Sequence, residues 1–368
     1  MIQNKTKIIR DLGQSIWLDF FDREIMNSGK LKKMIEEDGI SGVTSNPSIF
    51  EKAIRGGSDY DEDIVNLSKT KRSYEAIFFS LAVKDIRRAA DLFKRVHEES
   101  NGEDAFVSLE VSPHLAHDTE GTVKQAMKLW KAVDRKNVMI KIPSTTEGLA
   151  AIRQCISEGI NINITLLFGL PRYKEVIDAY LSGLEDRVNT NGSIDQIASV
   201  ASFFLSRIDV MIDPILRAKG LDKLKGQVAI ASAKEAYEIY KKTFSSERFK
   251  ILETKGAKRQ RLLWASTGTK DPKASDVLYV KSLAAPFTIN TMPEATLKAL
   301  ADHGELGSIM AADGGGCEQV LKQFAQAGIN VEDLAAKLQD EGAKSFVKSW
   351  NELLGVIASK STELRQAA

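Results

Sequence analysis

Short apolar runs rich in β-branched residues alternate along the chain with longer segments of helical periodicity. The apolar runs predict strands over residues 15–19, 42–46, 105–110, 138–142, 161–168, 198–205, 262–267 and 280–283. Between them, apolar residues on one helix face predict helices over residues 29–37, 73–98, 121–131, 147–158, 171–183, 206–217 and 228–244. This alternation is typical of βα units that build a parallel sheet.

The series of βα units is not interrupted by a linker rich in Pro, Gly or Ser. Eight strands with intervening helices therefore favour an α/β fold with a single (β/α)8 TIM barrel over a doubly wound open sheet. From Pro293 onward the pattern is helical, apart from a glycine-rich turn at 314–316. We expect a barrel catalytic domain over residues 1–292 and a helical C-terminal extension over residues 293–368, packed on the barrel. The sequence leaves open whether this extension caps the barrel or forms an oligomer contact.

Charge and composition restrict the partners. The chain has 51 Lys and Arg against 50 Asp and Glu, so no basic excess indicates a nucleic-acid partner or an anionic membrane. The N-terminus lacks the apolar core of a signal peptide, and no apolar stretch reaches the ~18 residues of a membrane span. We therefore expect a cytoplasmic protein. Its two cysteines, Cys155 and Cys317, are too few for a disulfide framework and are expected to be free thiols.

A lysine interrupts one of the apolar runs. Lys141 lies within Asn-Val-Met-Ile-Lys-Ile-Pro at 137–143, which otherwise has the composition of a buried parallel strand. Burying an unpaired ammonium group is costly, so such a lysine tends to be neutral, paired or reactive. A neutral lysine amine can condense with a carbonyl group to form a Schiff base. The run alone does not exclude the alternative that Lys141 ends its strand and extends into solvent.

Polar residues also occur late in the neighbouring apolar runs. The active sites of (β/α)8 barrels form where the strands end, so such residues are candidates for a common site. Taken singly, several have a structural alternative, for example as turn formers after a strand. Together they would bring carboxyl, amide, hydroxyl and amine groups into one cavity. The candidates are Asp19, Asn46, Glu110, Lys141, Asn163, Thr165 and Ser202.

Four motifs in this region resemble those of the transaldolase family, in the same order. They are Thr-Ser-Asn-Pro-Ser at 44–48, Val-Ser-Leu-Glu-Val at 107–111, Met-Ile-Lys-Ile-Pro at 139–143 with Ser-Thr-Thr-Glu-Gly after it, and Asn-Ile-Thr-Leu-Leu-Phe at 163–168. The similarity runs from about Trp17 to Arg207 and is looser beyond. It implies a class I Schiff-base enzyme with a (β/α)8 barrel that needs neither a metal nor an organic cofactor.

The resemblance assigns four catalytic residues. Lys141 matches the Schiff-base lysine. Asp19 matches the acid/base that deprotonates the C4 hydroxyl and so breaks the C3–C4 bond of a ketose phosphate. Glu110 and Thr165 match a pair that positions a catalytic water during formation and hydrolysis of the imine.

The resemblance also assigns residues that bind the substrate. Asn46 and Asn163 match amides that hold the hydroxyls of the dihydroxyacetone unit. Ser202 and Arg207 match the serine and arginine that bind the phosphate, and the forked guanidinium suits a phosphate group.

The chain departs from the family pattern after the seventh predicted strand. Many transaldolases have a Ser-x-Arg phosphate clamp there, whereas this chain has Ala-Ser-Thr-Gly-Thr-Lys at 265–270. Ser266 would keep the role of the serine, and Lys270 would replace the arginine as a point charge. The alternative is that Lys270 is an ordinary solvated loop lysine.

These observations predict a transaldolase of the pentose phosphate pathway, with sugar phosphates as substrates. The main alternative is a sugar-phosphate aldolase of the same superfamily. The aldolases that resemble this family tend to carry glutamine in place of Glu110, which argues against this alternative. A catalytically silent sugar-phosphate binding barrel would not need Lys141 and Asp19. A homodimer is compatible with the sequence, which does not determine the oligomeric state.

Overall fold

The computed structural model describes residues 5–70, 72–306, 309–311 and 313–366, and in this part of the chain eight parallel strands close into a barrel. Each strand pairs with its neighbours in chain order, and the eighth pairs with the first. The predicted (β/α)8 fold class is thereby confirmed. The strands are β1 (Ser15–Leu18), β2 (Gly42–Val43), β3 (Val107–Glu110), β4 (Val138–Pro143), β5 (Ile162–Leu167), β6 (Ser199–Phe204), β7 (Arg261–Ala265) and β8 (Ile289–Met292).

Most of the helices follow a strand and cover the outside of the barrel. Those up to β7 are α1 (Lys5–Asp11), α2 (Arg23–Asn27), α3 (Lys30–Lys33), α4 (Pro47–Gly56), α5 (Asp61–Ser68), α6 (Tyr74–Glu99), α7 (Thr119–Val133), α8 (Thr146–Ser157), α9 (Leu170–Asn189), α10 (Ser206–Ala218), α11 (Val228–Thr243) and α12 (Glu247–Glu253). Those after β7 are α13 (Leu278–Ser282), α14 (Glu294–His303), α15 (Cys317–Gln326) and α16 (Val331–Gln366). Because helices cover the outer face while side chains fill the interior, every residue of β4, β5 and β6 is buried.

The eighth strand is the exception among the predicted elements. The prediction at 280–283 is wrong, because Leu278–Ser282 forms the short helix α13 and the barrel closes with Ile289–Met292. A short apolar run suits a buried strand and a buried helical turn equally well, so periodicity cannot separate the two. The true strand contains two polar residues, Asn290 and Thr291, and therefore lacks the apolar signal. Both are buried.

The C-terminal helix α16 crosses the mouth of the barrel. It packs on α4, α5, α6 and α10 and on the end of β5. The side-chain amide of Gln339 donates hydrogen bonds to the carbonyls of Ser144 and Leu166, both 3.0 Å away. At Gly342 an added Cβ would lie 2.9 Å from Leu166 Cδ2, so the glycine permits this close approach. Within the described residues α16 thus caps the barrel, while the division of the chain at residue 292 stays a prediction.

No helix in the described ranges is long and apolar enough to cross a membrane.

Candidate active site

Lys141 lies in β4 with its amine inside the mouth of the barrel. Its side chain is only 8% exposed, which excludes the alternative of a lysine extending into solvent. The Nζ donates hydrogen bonds to the carbonyl oxygen of Ser45 at 3.2 Å and to Glu110 Oε2 at 3.4 Å. Glu110 is the register partner of Lys141 on β3, so parallel pairing of the two strands brings the amine and the carboxyl group together.

Asp19 follows β1 and faces the same space. Thr44, which follows β2, donates a hydrogen bond from Oγ1 to Asp19 Oδ1 at 2.9 Å, and Thr291 on β8 lies 3.1 Å from the same hydroxyl. Burial raises the pKa of the Asp19 carboxyl, while the charge of Lys141 and the hydrogen bond from Thr44 act in the opposite direction. A carboxyl group with a raised pKa is a stronger base than an ordinary aspartate.

Glu110 is buried at the end of β3. Burial raises the pKa of its carboxyl group above the ordinary value, and the nearby Lys141 opposes the shift. The charge of Asp19 raises it further, because two carboxylates in one cavity repel each other. The site therefore combines one amine with two carboxyl groups that both hold a proton more strongly than they would in water.

Two amide-bearing residues occupy different positions around this centre. Asn163 on β5 is fully buried, donates from Nδ2 to Ser108 Oγ at 2.9 Å and accepts from Ser202 Oγ at 2.7 Å. Since Ser108 lies on β3 and Ser202 on β6, these hydrogen bonds connect β5 to both strands. Asn46 accepts a hydrogen bond from the amide of Ile49 and caps α4. Asn46 thus has a structural role after its strand, and its side chain borders the cavity as well.

Thr165 lies two residues beyond Asn163 and is also fully buried. Its Oγ1 has no hydrogen-bond partner among the described residues. The register of β5 against β6 shifts between Ile164 and Leu167, and Leu166 has a positive φ of 55°. This bulge ends regular pairing beside the site, where the Thr165 hydroxyl is free to bind a water or a substrate oxygen.

These strand ends enclose a cavity of about 60 Å³ at the barrel mouth. It brings together most of the residues predicted from the sequence, while Glu110 and Asn163 reach it through their contacts with Lys141 and Ser202. The cavity is lined by Asp19, Thr44, Asn46, Lys141, Thr165, Ser202, Phe204, Arg207, Ala265, Ser266, Thr291 and Phe346.

Arg207, in the first turn of α10, supplies a positive charge at the edge of the cavity. Its guanidinium lies between two aromatic rings, 5.3 Å from the ring centre of Phe204 and 5.9 Å from that of Phe346. Burial lowers the pKa of Arg207, and the charges of Asp19 and Glu110 oppose the shift. Its nitrogens form no ion pair within 4.0 Å with any carboxylate that the structure describes, so they remain available for an anion.

The two residues predicted after β7 separate in the structure. Ser266 borders the cavity, has a positive φ of 56° and lies with its hydroxyl 2.8 Å from that of Ser206. Lys270 is exposed and does not line the cavity. It lies instead on a groove of about 630 Å³ between α10 and α16, which Arg207 also borders.

Some residues of the site were not predicted. Thr44 and Ser45 belong to the quoted motif at 44–48, so that motif contained a signal for them. Thr291 lies in the strand that was placed wrongly. Phe346 comes from α16, far from the other site residues in sequence, and nothing in its local pattern distinguishes it from a core residue of an amphipathic helix.

Across the described ranges, no group of three or more His, Cys, Asp or Glu side chains has the proximity needed to hold a metal ion.

The chain is similar to known proteins over most of its length. The family model described as Transaldolase/Fructose-6-phosphate aldolase matches residues 16–357. A transaldolase of Saccharopolyspora erythraea is 48% identical over 351 residues, 95% of each chain. One of Trichodesmium erythraeum is 46% identical over 377 residues, 99% of each chain, and one of Mycolicibacterium smegmatis is 45% identical over 346 residues, 93% of each chain.

Proposed function

The chain belongs to the transaldolase/fructose-6-phosphate aldolase family, and we propose that the cavity around Lys141 is the site at which it performs the transaldolase reaction. The protein is an enzyme of the transaldolase type, since relatives of that name match it over nearly its full length. The observation that carries the proposed site is a buried amine within hydrogen-bond distance of a carboxyl group, with a second carboxyl group facing the same cavity.

In the reaction we propose, Lys141 attacks the ketone carbon of a ketose phosphate, either sedoheptulose 7-phosphate or fructose 6-phosphate. The product is an imine, and its protonated nitrogen accepts electrons when the next carbon–carbon bond breaks. A three-carbon dihydroxyacetone unit stays on the lysine as an enamine. It then adds to the aldehyde of glyceraldehyde 3-phosphate or erythrose 4-phosphate, and hydrolysis of the new imine regenerates the amine.

Imine formation needs a group that moves protons at the amine. Glu110 Oε2 lies 3.4 Å from the Nζ and can accept its proton, leaving a nucleophilic amine. The unpartnered hydroxyl of Thr165 is suited to hold a water within the same cavity. We assign to Glu110 and Thr165 the protonation of the carbinolamine oxygen and its departure as water.

Cleavage needs a base at the hydroxyl of the departing fragment. Asp19 follows β1, two strands away from Glu110 on β3, and contacts residues at the ends of β2 and β8. Its raised pKa suits a group that accepts a proton during cleavage and returns it when the acceptor adds. We assign the acid/base role at C4 to Asp19.

The remaining residues are assigned to substrate binding. Asn46 and Asn163 offer amide groups to the hydroxyls of the dihydroxyacetone unit. Ser202 and Arg207 lie where the phosphate of a sugar extending towards α10 would reach. Ser266 borders the same edge, and Lys270 would attract the phosphate from the groove rather than bind it in the cavity.

The proposed reaction is tested by its dependence on an acceptor. Release of glyceraldehyde 3-phosphate from fructose 6-phosphate is measured with and without erythrose 4-phosphate, and multiple turnover is expected only with the acceptor. The matched control, Lys141→Met, should abolish turnover. Comparable rates without the acceptor would instead favour a fructose-6-phosphate aldolase, and no release under either condition would indicate a binding protein.

A cytoplasmic location and a homodimer are further proposals. They rest on the sequence alone.

A further inference from the structure

Phe346 is the residue through which the C-terminal helix reaches the reacting groups. It lies in α16, is 9% exposed and lines the cavity. The centre of its ring is 5.9 Å from Lys141 Nζ and also 5.9 Å from Arg207 Cζ. One aromatic ring therefore lies against both the amine and the guanidinium, within the distance at which cations are attracted to a ring face.

The ring lies close to the boundary between two spaces of different size. Inside is the cavity of about 60 Å³ around Lys141, with room for a few water molecules. Outside is the groove of about 630 Å³ between α10 and α16, which Gly342 and Ser345 line from the α16 side. Arg207 borders both spaces, and Phe346 lies next to Arg207 at the inner one.

Hydrogen bonds on either side hold this part of α16 in place. Seven residues before Phe346, Gln339 donates to the carbonyls of Ser144 and Leu166. Three residues after it, Ser349 accepts a hydrogen bond from Ser48 at 2.9 Å. Because Ser144 follows β4, Leu166 lies at the end of β5 and Ser48 begins α4 after β2, the ring is fixed relative to the barrel mouth itself. Rigid support of this kind is what a residue needs to control access to a site.

We propose that Phe346 is a positioning residue that keeps solvent water away from the intermediate on Lys141 and so directs the three-carbon unit to the aldehyde acceptor. This inference rests on the proposed function. The enamine has two fates. In transfer, its carbon bonds to the acceptor aldehyde, and the new alkoxide takes a proton from Asp19. In release, solvent water gives a proton to the same carbon, the hydroxide so formed adds to the resulting imine, and dihydroxyacetone leaves the free amine.

Both fates start from the same enamine and both end in hydrolysis of an imine, so their ratio reports protonation of the enamine carbon by water rather than total activity. Excluding water from a closed site suppresses hydrolysis of a reactive intermediate. A smaller side chain at position 346 would open the cavity towards the groove. Release should then increase relative to transfer, even where cleavage of the donor is slower overall.

The experiment measures free dihydroxyacetone against glyceraldehyde 3-phosphate during turnover of fructose 6-phosphate with erythrose 4-phosphate present. For Phe346→Ala we expect the fraction of turnovers that end in free dihydroxyacetone to rise about tenfold over the wild type. For Phe346→Leu, which keeps an apolar side chain in the position, we expect a smaller rise. If the Phe346→Ala variant does not fold, the Phe346→Leu variant alone tests the role of Phe346.

Leu353→Ala is the matched control, because Leu353 is fully buried in the same helix and does not line the cavity. It should leave the fraction near that of the wild type. An equal rise in this control, or a wild-type fraction in a folded Phe346 variant, would overturn the inference. If the wild-type enzyme cleaves no donor at all, the proposed function fails first, which distinguishes the two failures.

Discussion

Asp19 and Thr44 show how single side chains set the chemistry of the site. The threonine hydroxyl stabilises the ionised aspartate through a hydrogen bond of 2.9 Å, while burial favours the protonated form. The balance between these two effects determines the pH at which Asp19 becomes a base. Substitution of Thr44 alters this balance and leaves the residues assigned to catalysis unchanged.

Thr44→Val tests this balance, because valine has nearly the same shape but no hydroxyl. Loss of the hydrogen bond raises the pKa of Asp19 further, so the base form appears only at higher pH. We expect the acid limb of the pH profile of kcat to move up by roughly one pH unit. Thr122→Val, which removes another buried threonine hydroxyl, should not move it. An unshifted profile for Thr44→Val would contradict the role given to this hydrogen bond.

Asp19→Asn tests the role of the carboxyl group itself. The amide cannot accept the proton of the C4 hydroxyl, so cleavage should slow by about 10²- to 10⁴-fold. Imine formation depends on Lys141 and Glu110, so its rate should fall far less. Rapid-quench measurement of glyceraldehyde 3-phosphate gives the first rate, and trapping of the imine at successive times gives the second. Equal losses in both rates would speak against this assignment.

The sequence indicated the strand-end residues because each breaks an apolar run, and the resemblance gave them roles. Because they lie late in neighbouring strands, four of these residues are close together in the structure: Lys141, Glu110, Thr165 and Asn163. Lys270 could not be placed, because loop geometry after β7 depends on contacts distant in sequence. Phe346 could not be found, because a buried phenylalanine in an amphipathic helix carries no chemical signal.

At the scale of elements, a buried carboxyl group joins α10 to α13. Asp209 in α10 accepts a hydrogen bond of 2.6 Å from the hydroxyl of Tyr279 in α13, and another from the amide of Ala229. Burial raises the pKa of Asp209 to about 6. The protonated form is thus favoured in the folded protein, and stability due to this group is lost as pH rises from about 4 to about 6.

Asp209→Asn removes this titration. Relative to the variant, the wild type should lose about 2 kcal/mol of unfolding free energy between pH 4 and pH 7, since one pKa unit corresponds to ~1.4 kcal/mol. Urea unfolding of both proteins across this range measures the difference. Asp222→Asn, which alters an exposed carboxylate, serves as control. A difference that does not change with pH would show that Asp209 keeps an ordinary pKa.

The same region explains the one strand that was predicted wrongly. The apolar run at 280–283 contributes to α13, where Tyr279 and Val280 are buried against the barrel. β8 instead carries Asn290, a buried residue that accepts a hydrogen bond from Thr267. Hydrophobic periodicity identifies strands by their apolar residues, so a buried strand with adjacent polar residues is missed.

In the whole molecule, α16 connects the outer helix α6 with the active site. Trp350 in this helix packs against the rings of Phe78 and Phe79 in α6, with ring centres 5.0 Å and 5.5 Å apart. The helix also carries Phe346 to the active site. Folding of the C-terminal extension and completion of the site are therefore coupled, which the sequence left open.

Trp350→Ala tests this coupling. Removing a buried tryptophan should lower the unfolding free energy by about 3–5 kcal/mol. The three remaining tryptophans, at 17, 130 and 264, lie in β1, α7 and β7, so their fluorescence reports on the barrel, while circular dichroism reports on all helices. We expect the two transitions to coincide. A helical transition preceding the fluorescence change would show that α16 unfolds independently. As a control, Ile251→Ala alters an exposed site and should have little effect on the unfolding free energy.

The most direct test of the central claim is chemical trapping of the intermediate on Lys141. The enzyme is reduced with borohydride in the presence of fructose 6-phosphate, digested and analysed by peptide mass spectrometry. A Schiff-base role for Lys141 predicts a reduced three-carbon adduct on this residue that is absent without the sugar phosphate. No adduct, or an adduct on another lysine such as Lys270, would contradict it.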